Sequence, residues 1–219
     1  MKTKSLLFLT FFVGLNVFSQ SNTDLVFLPK VVLSKKINKV SKWVNSVEQR
    51  TIFYDENLQL THNLLDISSI YSLKTSLNQS FNFGYILRFR GTETIHRTFQ
   101  HYNILQHYNA LKIGHRFALE QFYQVKKQTT FRSRYRVSTE LPLNGERIDV
   151  KEFYLKLGNE YLYAFAEKDL EIRLTPYLGY QVSAKDKIEF GIDYRVSNFI
   201  QNATENQFWF RATWYISLQ

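Results

Sequence analysis

Two-residue alternation, sustained over far more of this chain than an ordinary strand needs, is the constraint from which the rest follows. In 81–90 the odd positions are Phe81, Phe83, Tyr85, Leu87 and Phe89, and the even ones are Asn82, Gly84, Ile86, Arg88 and Arg90. In 112–123 Ile113, His115, Phe117, Leu119 and Tyr123 oppose Lys112, Gly114, Arg116, Ala118 and Glu120. Phe131, Tyr135 and Val137 oppose Arg132, Arg134, Arg136 and Glu140. Ile188, Phe190, Ile192, Tyr194 and Val196 oppose Glu189, Gly191, Asp193 and Arg195. Near the end, Phe208, Phe210, Trp214, Ile216 and Leu218 oppose Arg211, Thr213 and Ser217. Successive side chains of a strand point to opposite sides, so each segment is a two-faced strand.

Alternation alone does not say which face is inside. In a soluble sandwich the apolar face is the core, whereas in an outer-membrane barrel it meets lipid and the charged face lines the lumen. Length separates the two. Soluble strands run about 5–6 residues, and a tilted membrane-spanning strand needs roughly 9–11. Here the alternation persists for ten to thirteen residues in at least five segments, and their apolar faces carry the Phe, Tyr and Trp of a lipid-facing band with aromatic girdles. The expected fold is therefore all-β, an antiparallel transmembrane barrel.

The first residues read as an address. Lys2 and Lys4 precede an apolar run from Leu6 to Phe18, and Val17, Phe18 and Ser19 stand where a signal peptidase reads, with Gln20 as the first mature residue. The run is too short for a bilayer-spanning helix, which needs roughly 20 residues. The expectation is a signal peptide over 1–19, a barrel domain over 20–219, and residence in the outer membrane of a Gram-negative bacterium. With no Cys in the chain, a lipid anchor, a disulfide scaffold and a cysteine-built metal or redox site are excluded.

Less regular strands fill the gaps at 25–33, 43–54, 64–73, 96–106, 151–165 and 170–182, separated by polar connections such as 55–63 and 144–149. That makes eleven strands, although bacterial single-chain barrels have even numbers. Pro29 and Pro176 lack the N–H that a closed ladder uses, so the alternatives are a first segment that is not a full member, a bulge at Pro176, and a barrel of ten, eleven or twelve strands. No linker divides the chain. A loose repeat relates 71–85 to 180–194, each a hairpin followed by a Gly on the polar face.

The chain resembles a family of small, uncharacterised outer-membrane barrel proteins of Gram-negative bacteria, known as a domain of unknown function. The resemblance lies in the alternating stretch from His115 to Gln121, the run Phe131-Arg132-Ser133-Arg134-Tyr135-Arg136, Asn159-Glu160, and a late hairpin through Arg173, Gly179 and Tyr180 to Gly191 and Tyr194. It implies the barrel and its location, and no activity.

The chain has 28 Lys and Arg against 19 Asp and Glu, a net charge of +9. On the polar face Arg dominates: Arg88, Arg90, Arg116, Arg132, Arg134, Arg136, Arg173 and Arg195, accompanied by Glu120, Glu160 and Asp193, with Glu48, Arg50, Glu140, Glu152, Glu171, Glu189 and Arg211 beside them. A planar fork of five donors bridges carboxylates on neighbouring strands and stays charged in a confined space. Two readings stand together: a structural network filling a narrow barrel, or a constriction or cavity that selects anions. The ladder of Arg132, Arg134 and Arg136 is the strongest anion-binding candidate, with Glu120 as its expected partner.

A barrel-embedded hydrolase acting on lipid or peptide is the alternative function. It needs Ser, a His base and an orienting Asn or Asp together. His62, His96, His101, His107 and His115 show no such spacing, although His96 and His101 could approach one mouth with Asn103. No catalytic residue, metal site or cofactor is expected. Export argues against nucleic acid as partner. Lys35, Lys36, Lys39, Lys126 and Lys127 are expected to meet membrane lipid headgroups or lipopolysaccharide phosphates; any small solute is unidentified.

Overall fold

The computed structural model describes residues 25–55, 57–201 and 204–218. The leader expected over 1–19 lies outside the described residues. Eleven strands follow one another: β1 Leu25–Lys36, β2 Ser41–Asp55, β3 Asn57–Lys74, β4 Gln79–Arg90, β5 Glu93–Tyr108, β6 Leu111–Gln124, β7 Thr130–Pro142, β8 Phe153–Ala164, β9 Asp169–Gln181, β10 Asp186–Ser197 and β11 Glu205–Leu218. Each pairs with the next, and β1 pairs with β11, so the sheet closes into a barrel. Closure pairs the backbone groups that an open edge would leave exposed.

Strand parity dictates how the barrel closes. Neighbours in sequence are antiparallel, so the first and eleventh strands run the same way and their seam is parallel, from Leu25 opposite Phe208 to Lys35 opposite Leu218. Leu25 and Leu218 consequently lie at opposite rims. Parallel pairing is slightly weaker per residue, and side chains brace this seam. Glu48 on β2 takes Lys30 of β1 at 3.3 Å and Arg211 of β11 at 3.1 Å, tying three strands together. Val26, Leu28 and Trp209 bury one another beside it.

Both prolines are accommodated without loss of register. The β1–β2 ladder passes from Phe27 opposite Thr51 to Lys30 opposite Glu48, skipping Leu28 and Pro29. Pro29 keeps its place opposite Ala212 on the other side. Pro176 sits in a similar interruption on its β10 side and opposite Leu157 on its β8 side. No bulge occurs there: the expected irregularity is a gap in pairing, and β1 is a full member. The connection expected over 55–63 is shorter than the sequence suggests, since β2 runs to Asp55 and β3 begins at Asn57.

The phase of alternation is as expected. Phe83, Phe117, Leu155, Phe190, Phe210 and Trp214 point outward and exposed, and Phe117, Tyr135 and Tyr161 form a ring ladder across three strands with centroids 4.9 and 6.4 Å apart. Parts of the outer face are polar: Gln100 and Gln121 exchange amide hydrogen bonds at 3.2 and 3.0 Å, the Thr98 hydroxyl donates to Gln121 at 2.7 Å, and Ser69 accepts from Trp43 Nε1 at 2.7 Å and donates to Asn45 Oδ1 at 2.8 Å.

Inside, glycines make room for rings. Gly84, Gly179 and Gly191 stand opposite Phe99, Tyr154 and Tyr177 on the adjacent strands, and a Cβ at any of them would meet that ring. This explains the recurring Gly on the polar face. At Gly179 the covering ring, Tyr154, is fully buried and its hydroxyl donates to Glu189 at 2.8 Å, so it has nowhere to move. Gly179→Ala is expected to destabilise the barrel by about 1–3 kcal/mol, the usual cost of overpacking. Urea unfolding of the detergent-folded protein checks it, with Gly145→Ala (a turn glycine with open space around it, at φ +64°) as the separate case in which backbone strain acts alone.

Candidate functional site

The inward faces of all eleven strands surround a cavity of about 1060 Å³. Alternation brings the charged residues to it, and register decides who meets whom. Glu120 on β6 stands opposite Arg132 on β7 and is 1% exposed. It accepts Arg132 at 2.6 Å and Arg134 at 3.1 Å. Arg134 continues to Glu160 at 3.4 Å, and Glu160 reaches Arg173 at 3.7 Å. Arg173 holds Glu171 at 2.5 Å, Glu171 lies 3.9 Å from Arg195, and Arg195 holds Asp193 at 2.7 Å. Asp193 takes Arg211 at 3.1 Å, which links to Glu48 and Lys30. The result is one alternating belt from β6 around to β2. Arg88 pairs separately with Asp66 at 2.6 Å.

A second cluster centres on Glu189, which is 1% exposed. It accepts Tyr154, Lys156, Lys187 and the Tyr215 hydroxyl, the last at 3.2 Å. In both clusters the carboxylates sit deep in the wall with cations over them. Among the described residues fifteen Lys and Arg line the cavity against five Asp and Glu. The solvent-facing chemistry of the lumen is therefore cationic, despite its many ion pairs.

Aromatic rings approach Arg50 and Arg97, which stand outside the belt, and two of its members, Arg195 and Arg132. Arg50 and Arg195 lie 4.0 and 3.2 Å from the Trp209 ring centroid, and Arg97 and Arg132 approach Phe122 at 5.5 and 4.9 Å. Such contacts offset part of the cost of confining a charge.

Most expected site residues fall where the alternation puts them: Arg88, Arg116, Glu120, Arg132, Arg134, Arg136, Glu160, Arg173, Asp193 and Arg195 all face inward. Glu120 partners two of the three ladder arginines but not Arg136. Arg90 is exposed at the mouth, at the end of β4. Glu152 does not belong to the lumen: β8 begins one residue later, and Glu152 braces the preceding loop, accepting from the Asn144 amide at 2.7 Å and the Asp149 N–H at 3.0 Å. Those hydrogen bonds, the backbone one foremost, hold its carboxyl below the usual range.

The lumen also contains Lys30, Asp66, Arg97, Lys156, Lys187, Trp209, Tyr177 and Tyr215, which are outside the expected set. Each shares the parity of an inward residue on its own strand, so extending the alternation to the less regular strands would have found them.

The histidines separate rather than converge. His96 pairs with the Tyr85 hydroxyl and His115 with the Tyr135 hydroxyl, on the outer face. His101 lies inside, stacked on Phe99 at 4.4 Å. His96 and His101, five residues apart, thus point to opposite sides of β5, and the grouping with Asn103 does not form. Among the described residues no three His, Cys, Asp or Glu are placed to hold a metal ion.

Residues 28–209 match a family described as a protein of unknown function, DUF2490. The chain belongs to that family. No curated protein matches the sequence. Among solved structures, the anion-selective porin from Comamonas acidovorans is similar at a TM-score of 0.42 and 9% identity, over 72% of this chain and 49% of the porin. This DUF2490 chain spans about half the length of that porin.

Proposed function

We propose that this DUF2490 protein is an outer-membrane barrel whose cationic lumen admits small anions, as a narrow pore or binding cavity. The observation that carries the reading is the inversion of polarity across one closed sheet. Among the described residues the outward positions are mainly apolar and aromatic, while the cavity is lined by fifteen cations and five carboxylates. Apolar faces turned away from the interior suit lipid, and a low-dielectric wall focuses a one-signed field along the lumen.

The leader-like start supports export. Lys35, Lys36 and Lys39 at one rim and Lys126 and Lys127 at the other suit contact with anionic headgroups. The Arg–carboxylate belt stiffens the wall while the surplus cations face the cavity, so a structural and a solute-handling role combine in one lumen.

The expected result is that the mature chain fractionates with outer membranes and migrates differently before and after boiling. In a planar bilayer under a potassium chloride gradient, its reversal potential is expected to have the sign of anion selectivity. A soluble periplasmic protein defeats the membrane reading. Cation selectivity, or a folded barrel without conductance or anion uptake, defeats the solute reading.

A further inference from the structure

Carboxylates are shared unevenly among the lumen arginines. Arg132, Arg134, Arg173, Arg195, Arg211 and Arg88 each have at least one. Arg50 and Arg97 lack one and approach aromatic rings instead. Among the described residues Arg116 and Arg136 have neither a carboxylate within ion-pair distance nor a ring. They are direct cross-strand partners on β6 and β7, with both side chains on the cavity wall. Side chains so placed have Cβ atoms about 4.5–5.5 Å apart, and like charges there repel.

Glu160 stands opposite Arg136 in register, yet its two oxygens turn to Arg134, diagonal to it on β7, and to Arg173, its direct partner on β9. Among the described residues Arg136 has no hydrogen bond, ion pair or ring contact. Gly158 lies beside it: a Cβ there would stand in ordinary contact with Arg136 Nη2, at 3.5 Å, and would strike Thr175 Oγ1. Arg116 is aimed rather than neutralised. Its Nε donates to Asn103 Oδ1 at 2.9 Å, and the Asn103 amide is anchored on Ser80 Oγ at 3.3 Å, which fixes the fork and leaves both Nη groups to the cavity.

We propose that Arg116 and Arg136 together form a binding site for a small free oxyanion of the phosphate or carboxylate class. An oxyanion between them converts a repulsive pair into charge-assisted, fork-to-oxygen hydrogen bonds. Asn103 and Ser80 are positioning residues for Arg116. The site rests on the reading of the lumen as an anion-accepting cavity and adds saturability at a defined place.

The test is calorimetric titration of the full detergent-folded chain with inorganic phosphate, and separately with succinate, at constant ionic strength. Saturable one-site binding is expected for at least one of them. Arg116→Gln and Arg136→Gln are each expected to weaken it at least tenfold, and Arg136→Lys, which keeps charge but loses the fork, less. Lys185→Gln, in the exposed β9–β10 turn, is expected to bind as the wild type does. Arginine-selective nitrogen NMR of the wild type answers for variants that do not fold: phosphate or succinate is expected to shift two guanidinium signals together.

Undiminished binding in both glutamine variants, or no saturable binding of either ligand, overturns the site. A shift of the same two guanidinium signals by phosphatidylglycerol-doped micelles, without binding of free phosphate or succinate, places the oxyanion on a lipid and overturns the free-solute assignment. Anion-selective conductance without saturation removes the site and leaves the proposed function standing. Saturable binding without conductance retains the site and removes the pore.

Discussion

Glu120→Ala is expected to destabilise the folded barrel by about 3–5 kcal/mol, the cost of breaking a buried pair by removing one partner. The carboxylate is 1% exposed, and both Arg132 and Arg134 converge on it, at 2.6 and 3.1 Å. Its removal leaves Arg132 with no carboxylate and Arg134 with the longer contact to Glu160. Two like charges then remain on one strand in a confined wall, where water does not screen them as it does at a surface. The comparison is Glu93→Ala. Glu93 pairs with Lys127 at 3.1 Å, but both are half exposed at a turn, and the expected loss is about 0–1 kcal/mol. Urea unfolding in one detergent measures both. A loss at Glu120 no larger than that at Glu93 would mean a wall so hydrated that the belt contributes no rigidity. In that case the variant is still expected to become more anion-selective, because the remaining positive field is less offset.

How much of this was legible in the sequence follows from what alternation encodes. Period two assigns a side of the sheet, and the side was right for Phe83, Arg88, Arg116, Glu120, Ile192 and Arg211. It contains no information about neighbours. Glu120 and Arg132 could be paired from sequence because a short connection fixes their register. The pairing of Arg211 with Glu48 could not, because it crosses the closing seam between strands at opposite ends of the chain. The glycines on the polar face were visible as a pattern, but the reason (Phe99, Tyr154 and Tyr177 lying over them) needs the register of adjacent strands. Eleven strands could be counted directly. Doubt arose from the rule of even strand number and from two prolines, and a parallel seam with two interrupted ladders resolves it. That Arg136 lacks a carboxylate is invisible in sequence, since Glu160 lies opposite it and only side-chain direction sends that carboxylate elsewhere.

Phe83→Arg and Ile192→Arg test the largest physical claim, that the outer surface is solvated by lipid. Phe83 is 53% exposed and Ile192 40%, an arrangement that would leave many large apolar residues in water if the barrel were soluble. In a membrane, an arginine near the midplane on the lipid face costs about 2–4 kcal/mol, falling toward zero at the interfaces. Both positions lie well inside their strands, β4 and β10, so the upper part of that range is expected, read as lost folding into liposomes and lost heat-modifiable migration. Asn82→Arg is the decisive control. It is adjacent to Phe83 and therefore at nearly the same depth, but it faces the cavity, where a further cation meets water and the carboxylates of the wall. Ser197→Arg, also inward but at the end of β10, is expected to be tolerated on either reading and calibrates the effect of depth. If Phe83→Arg folds as well as Asn82→Arg, or improves solubility without detergent, the outer face is not in lipid and the apolar surface must be covered by protein instead.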